Sequence, residues 1–216
     1  MFEPLPLPAF RSRVVPVIVI QDVQWAVPLA HALLAGGIDV MEITLRHEQG
    51  LAALEAVARA VPEMCVGAGT VLTASELQRV QEAGAQFALS PGLSLELVQA
   101  AHRRGLPYMP GVMTPSEVMA ARQAGVRLAK LFPASQVGGV GWLKAVAGPL
   151  SDMRFCPTGG VSPDNLVNFL SQPNVSMVGG SWLTPVQAMA ESDWTHITQL
   201  ARAATQMADS VPSAAP

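Results

Sequence analysis

MCVGAGTVLTASELQRVQEAG, residues 64–84, contains one complete structural phrase. An apolar run, Met64–Val66, ends in the glycine-rich exit Gly67-Ala68-Gly69-Thr70. Thr73-Ala74-Ser75-Glu76 has the form of a capping box, in which hydroxyl and carboxylate each satisfy a free amide at a helix start. An amphipathic stretch follows, and Gly84 closes it, because glycine alone takes the left-handed cap of a helix without cost. Strand, loop, helix and stop make one βα unit.

The phrase recurs along the chain. Apolar runs at Val14–Ile20, Asp39–Leu45, Phe87–Leu89, Leu106–Met109, Leu128–Phe132, Met153–Cys156 and Val175–Val178 join Met64–Val66 to make eight. They are continuous rather than alternating, which suits parallel strands covered on both faces. Their exits read Ser90-Pro91-Gly92, Pro110-Gly111, Pro133-Ala134, Pro157-Thr158-Gly159-Gly160 and Gly179-Gly180-Ser181. Thr114-Pro115-Ser116-Glu117 is a second capping box with proline in the first turn, and Ser162-Pro163, Thr184-Pro185 and Asp22 are further cap candidates. Gly36, Gly105, Gly125 and Gly148 read as helix stops. Alternation of this kind predicts an α/β protein, a single (β/α)8 TIM barrel over residues 14–202. Residues 1–13 form a proline-punctuated N-terminal extension without the pattern of a signal peptide. Residues 203–216 end in small residues and prolines and are expected to fray. The competing architecture is an open doubly wound sheet.

Composition narrows the function. The 216 residues carry a formal charge of −3, and half of them are hydrophobic. Lysine and arginine are scattered, so no field draws nucleic acid. The apolar runs are too short to span a bilayer. Cys65 and Cys156 each sit in an apolar run and read as free buried thiols rather than a disulfide. A cytoplasmic protein acting on small molecules is the expectation.

Chemistry in such barrels sits at the C-terminal ends of the strands. The informative residues are therefore charges inside apolar runs, where desolvation makes them costly. The chain has only two lysines, Lys130 and Lys144. Lys144 has helical surroundings, whereas Lys130 lies inside Leu128–Phe132. Its structural explanation is a salt bridge to a buried carboxylate or a stem reaching for the surface. Its functional explanation is a neutral amine, favoured by burial, that attacks a ketone to form an imine. Glu42 lies within Val40–Leu45, with Arg46 just beyond. They read either as a buried ion pair or as a proton shuttle beside a carboxylate clamp. The glycine exits Thr158-Gly159-Gly160 and Gly179-Gly180-Ser181 follow the last two runs, the commonest phosphate cradle of these barrels, with Ser162 placed to cap a helix facing the same mouth. The four histidines, His31, His47, His102 and His196, do not cluster, which argues against a metal-dependent mechanism.

These residues carry a resemblance. VPVIVI (15–20), AGGIDVMEITLR (35–46), VGAGTVLT (66–73), EAGAQFALSPGL (82–93), KLFPA (130–134), FCPTGGVSP (155–163) and GGSWL (179–183) together resemble the KHG/KDPG aldolase family over nearly the whole chain. The resemblance implies a class I aldolase of carbohydrate metabolism, in the Entner–Doudoroff pathway. Its expected reaction cleaves 2-dehydro-3-deoxy-6-phosphogluconate to pyruvate and glyceraldehyde 3-phosphate without cofactor or metal. Lys130 would carry the Schiff base and Glu42 the proton. Arg46 and Thr70 would bind the pyruvyl carboxylate, with Pro91 and Phe132 lining that pocket. Gly159, Gly160, Gly179, Gly180 and Ser181 would receive the phosphate, beside Thr158 at the aldehyde half. A homotrimer is implied as well. Aldolases for 4-hydroxy-2-oxoglutarate or the galactonate epimer would use the same lysine. A sugar-phosphate isomerase or a non-catalytic phosphate-binding barrel would not need it.

Overall fold

In the computed structural model, which describes residues 5–212, strands and helices alternate. The strands are β1 (Val14–Ile18), β2 (Val40–Thr44), β3 (Cys65–Gly69), β4 (Phe87–Leu89), β5 (Tyr108–Met109), β6 (Gly111–Val112), β7 (Leu128–Leu131), β8 (Arg154–Pro157) and β9 (Val178–Gly180). Between them run α1 (Ala26–Ala35), α2 (Gly50–Ala60), α3 (Ala74–Glu82), α4 (Leu95–Arg103), α5 (Pro115–Gln123), α6 (Gly139–Ala147) and α7 (Leu166–Leu170). After β9 come α8 (Val186–Ala190) and α9 (Trp194–Asp209).

The strand pairings are parallel, in the order β5-β4-β3-β2-β1-β9 for one sheet and β6-β7-β8 for the other. Pro110 is the covalent seam between the two sheets. It lacks the amide that would continue the β4 ladder, yet its carbonyl accepts from the Lys130 amide at 2.9 Å. At the other seam, parallel bridges Phe155↔Val175 and Thr158↔Gly179 tie β8 to the approach and start of β9. The result is a curled sheet of parallel strands. Every residue of β1, β2, β3 and β4 is buried, as continuous apolar runs require. Leu29 and Leu33 of α1, Leu54 and Val57 of α2 and Leu77 and Val80 of α3 are buried too, so the helices cover the sheet.

Local signals and structure agree where chemistry is local. Both capping boxes form, and Pro115 opens α5. Asp22 accepts from the Gln24 amide at the head of a short 3-10 turn. Other expectations fail. Ser162 and Thr184 cap nothing: α7 starts at Leu166 and α8 at Val186, neither with a side-chain cap. Asn165 pre-empts Ser162 by accepting from the Ser162 amide at 2.9 Å and donating to the Gly160 carbonyl at 2.9 Å, which turns the chain before a helix can begin. The helix that follows these glycines therefore starts only at Leu166 and is five residues long. Gly36 and Gly148 are right-handed, and Gly37 takes the left-handed position instead. β3 and β9 extend through the glycines read as exits, Gly67–Gly69 and Gly179–Gly180.

The largest departure is at the C-terminus. Residues 203–209 belong to α9, which continues to Asp209 with Ile197, Ala201, Ala204 and Ala208 buried. The small residues form its packing face. Thr198 Oγ1 donates to the Ala32 carbonyl at 2.9 Å and Thr205 Oγ1 to Gly36 at 3.0 Å, an approach that large side chains would forbid. Residues 213–216, the end of the expected tail, and 1–4 of the extension lie outside the described residues.

Candidate active site

Parallel strands place all their C-terminal ends at one mouth, and the candidate residues gather there. Successive strand residues alternate in direction, so Glu42 and Thr44 of β2 share a face. Lys130 is the third residue of β7, on the second sheet. Eighty-eight positions apart in sequence, the two meet across the interior: Lys130 Nζ donates to Glu42 Oε1 at 2.8 Å and Oε2 at 3.1 Å. The side chains are 7% and 2% exposed, so the contact is shielded from water. The salt bridge foreseen for Lys130 and its functional partnership with Glu42 are thus one contact. A Glu42–Arg46 pair does not form, because Arg46 Nε donates instead to Thr44 Oγ1 at 3.2 Å.

Around this pair the walls are specific. The Phe132 ring centroid lies 5.7 Å from Lys130 Nζ, within cation–π range. Gly111 of β6 is the register partner of Lys130, and a methyl group there would overlap the Pro91 carbonyl. Pro91 is therefore seated against the strand beside the lysine. Its turn is clamped by Tyr108, whose hydroxyl donates to Ser90 Oγ at 2.6 Å while Ser90 donates to the Gly92 carbonyl at 2.6 Å. Thr70 follows β3 with φ +60°, a left-handed conformation costly for a threonine and typical of functional loops. Cys156 also pairs in register with Lys130, but burial pushes its thiol up to about 12. It stays protonated and does not rival the amine as nucleophile.

The glycine loops meet at the same mouth. Thr158 Oγ1, buried, donates to the Cys156 carbonyl at 3.3 Å and fills the space a Gly179 side chain would take. Gly159 and Gly160 are both left-handed, at φ +93° and +79°. Gly159 lies against Pro133 and Phe132, and Ser135 Oγ donates to the Gly160 carbonyl at 3.0 Å. The Trp182 ring covers Gly180, while Ser181 is exposed. A cavity of about 400 Å³ lies elsewhere. It is lined by Leu7, Phe10, Leu106, Val126 and Met177 near the opposite strand ends, and includes neither Lys130 nor Glu42 nor the glycine loops. Among the described residues no three His, Cys, Asp or Glu side chains gather as a metal site, and no helix is long and apolar enough to cross a membrane.

Three residues of this site have no signal in the sequence: Thr44, Gly69 and Gly111. Gly69 is the most exacting, since a methyl group on it would overlap Glu42 Oε1. Gly69→Ala is expected to displace the carboxylate from Lys130 and to cost about 1–3 kcal/mol of stability. Thermal melts check this against Gly92→Ala, a control because its added methyl meets nothing within 4 Å. Equal Tm values for the two variants would show that Glu42 moves aside freely.

A dry amine hydrogen-bonded to a carboxylate can lose one proton to it, leaving a neutral nucleophile and a neutral acid. That is the equipment for imine chemistry on a carbonyl compound, with proton transfer at hand. The chain belongs to the KDPG and KHG aldolase family, which it matches over residues 9–200, and is therefore an aldolase, a lyase. The KHG/KDPG aldolase of Escherichia coli strain K12 is 50% identical over 193 residues, 89% of this chain and 91% of its own. Among solved structures, the KDPG aldolase of Legionella pneumophila with pyruvate captured as a covalent carbinolamine superposes with a TM-score of 0.88. It is 44% identical and covers 90% of this chain and 94% of that one. The Zymomonas mobilis ZM4 enzyme with 3-phosphoglycerate gives 0.86 at 41% identity, over 91% of this chain and 92% of that one.

Proposed function

We propose that this aldolase cleaves 2-dehydro-3-deoxy-6-phosphogluconate to pyruvate and glyceraldehyde 3-phosphate through an imine on Lys130. The observation that carries the reading is the buried 2.8 Å contact between Lys130 Nζ and Glu42. Glu42 takes a proton from the ammonium, and the neutral amine adds to C2 of the substrate. Glu42 returns that proton to the hydroxyl of the resulting carbinolamine, which leaves as water and gives a cationic imine with Glu42 a carboxylate again. Glu42 next removes the C4 hydroxyl proton as the C3–C4 bond breaks, and the bonding electrons enter the imine to give an enamine. Glyceraldehyde 3-phosphate leaves. Protonation of the enamine at C3 and return of water release pyruvate and the free amine. The imine is the electron sink, so the reaction needs neither metal nor cofactor.

Binding follows the layout. Arg46 and Thr70 hold the pyruvyl carboxylate, Pro91 and Phe132 line its pocket, and Thr158 faces the aldehyde half. Gly159, Gly160, Gly179, Gly180 and Ser181 take the phosphate, with amides of the left-handed glycines supplying donors. Gripping both ends brings the reacting bond to Lys130. The working assembly in this reading is a cytoplasmic homotrimer of closed (β/α)8 barrels, each built from residues 14–202.

A pyruvate-release assay on 2-keto-3-deoxy acids, with and without phosphate, tests the reading. The phosphorylated gluconate is expected to turn over best, and absence of pyruvate from every acid would overturn it. The double name of the Escherichia coli relative puts 4-hydroxy-2-oxoglutarate on the same panel as a second reading, with the galactonate epimer beside it. The phosphate loops have their own test. Ser181→Ala removes one hydrogen bond to a charged acceptor, worth about 1.5–3 kcal/mol. The expected loss in kcat/KM is roughly 10- to 150-fold on the phosphorylated substrate and near zero on an unphosphorylated analogue. Equal losses on both would place the phosphate elsewhere.

A further inference from the structure

We infer that Thr44 is a positioning residue for the carboxylate clamp. Its hydroxyl holds the Arg46 guanidinium so that the two terminal nitrogens meet the substrate carboxylate end-on. The inference rests on the reading of Arg46 as the carboxylate's ligand.

Thr44 is the last residue of β2, two positions from Glu42, and is 1% exposed. Its Oγ1 donates to the carbonyl of Ile18, the last residue of β1, at 2.9 Å. A hydroxyl has one proton, and here it is committed to that carbonyl. What Thr44 offers in the direction of Arg46 is a lone pair, the complement of a side chain that only donates. Arg46 Nε occupies it at 3.2 Å.

Two consequences follow. Arg46 lies past the strand end on a long stem with many rotamers, and the hydrogen bond from its neck restricts them before substrate arrives. An arginine fork can also pair with a carboxylate in two ways, through Nε and one terminal nitrogen or through both terminal nitrogens. With Nε on Thr44, the second mode remains. Ile18 and Thr44 thus link the ends of two neighbouring strands to the orientation of one guanidinium, on the strand that also carries Glu42. Valine has the shape to replace Thr44 but neither accepts from Nε nor donates to Ile18.

The test compares Thr44→Val, Thr44→Ser and Arg46→Ala in the intact protein. The first readout is KM and kcat for cleavage of the keto acid. The second is borohydride trapping with pyruvate and with hydroxyacetone, a small ketone that has no carboxylate. Thr44→Val is expected to raise KM and the half-saturating pyruvate concentration about ten-fold, the size of one positioning hydrogen bond, with kcat within about three-fold. Thr44→Ser keeps the hydroxyl and is expected to stay within about two-fold of the parent. Trapping of hydroxyacetone is expected to be the same in the parent, Thr44→Val and Thr44→Ser, and Thr44→Val to add nothing in the Arg46→Ala background. If Thr44→Val does not fold, Thr44→Ala carries the same expectation. Unchanged pyruvate saturation in Thr44→Val beside a rise in Arg46→Ala would overturn the inference and leave the reading of Arg46 intact. So would an equal loss with hydroxyacetone, which would make Thr44 a support of the barrel alone. Unchanged saturation in Arg46→Ala would remove Arg46 from the carboxylate and this inference with it.

Discussion

Treatment with pyruvate and borohydride is expected to fix a reduced pyruvyl group on Lys130 and to abolish activity. Lys130 is the amine that lies inside a strand, shielded from water, with a carboxylate 2.8 Å away to take its proton. The other lysine, Lys144, is exposed in the last turn of α6 and makes no salt bridge among the described residues. Peptide mapping separates the two. An adduct on Lys144, or none at all, would refute the imine mechanism. Removing the nucleophile makes the same point in kinetics: Lys130→Met is expected to lose at least about 10⁴-fold in kcat, the scale seen when the central member of a catalytic unit is deleted. Because the substitution leaves Glu42 buried and unpaired, it is also expected to cost about 3–5 kcal/mol of stability. Adduct mapping on the parent protein is free of that complication and decides first.

The second large effect is at Glu42. Glu42→Gln keeps the shape of the side chain and an oxygen to accept from Lys130, but it cannot take a proton. Folding is expected to persist, with kcat lowered by roughly 10²–10⁴-fold. Far-UV circular dichroism and single-turnover rates check the two halves of this statement. A folded variant with near-normal kcat would reduce Glu42 to a holder of Lys130. The amide variant is more informative than alanine, which would leave an ammonium buried without any acceptor and confuse chemistry with stability.

The two central groups were legible for one physical reason. A charge in an apolar strand is expensive anywhere in a protein, so Lys130 and Glu42 stand out in one dimension. The residues that tune them did not stand out. Thr44 reads as an ordinary β-former at a strand end, and Gly69 as one more loop glycine. Each acquires meaning only from what the neighbouring strand places beside it: Ile18 and Arg46 around Thr44, and the Glu42 carboxylate over the missing side chain of Gly69. The same limit explains the errors. Ser162 has the right chemistry for a cap, yet Asn165 bonds the Gly160 carbonyl and the Ser162 amide first. Ala204 and Ala208 look like the residues of a loose tail until α9 packs them into the core.

What the sequence determined by itself is the succession of strands and helices, both capping boxes, the parallel character of the sheet and the identity of the paired charges. These depend on interactions within a few residues, or on the cost of burying a single group. Tertiary structure decided which charge meets which, the route by which Pro110 and the β8–β9 bridges join two sheets, and the Thr44 support of Arg46. Those outcomes turn on register between strands distant in the chain. A shift of one residue there would turn Glu42 and Thr44 to the opposite face of the sheet, and no local pattern records it.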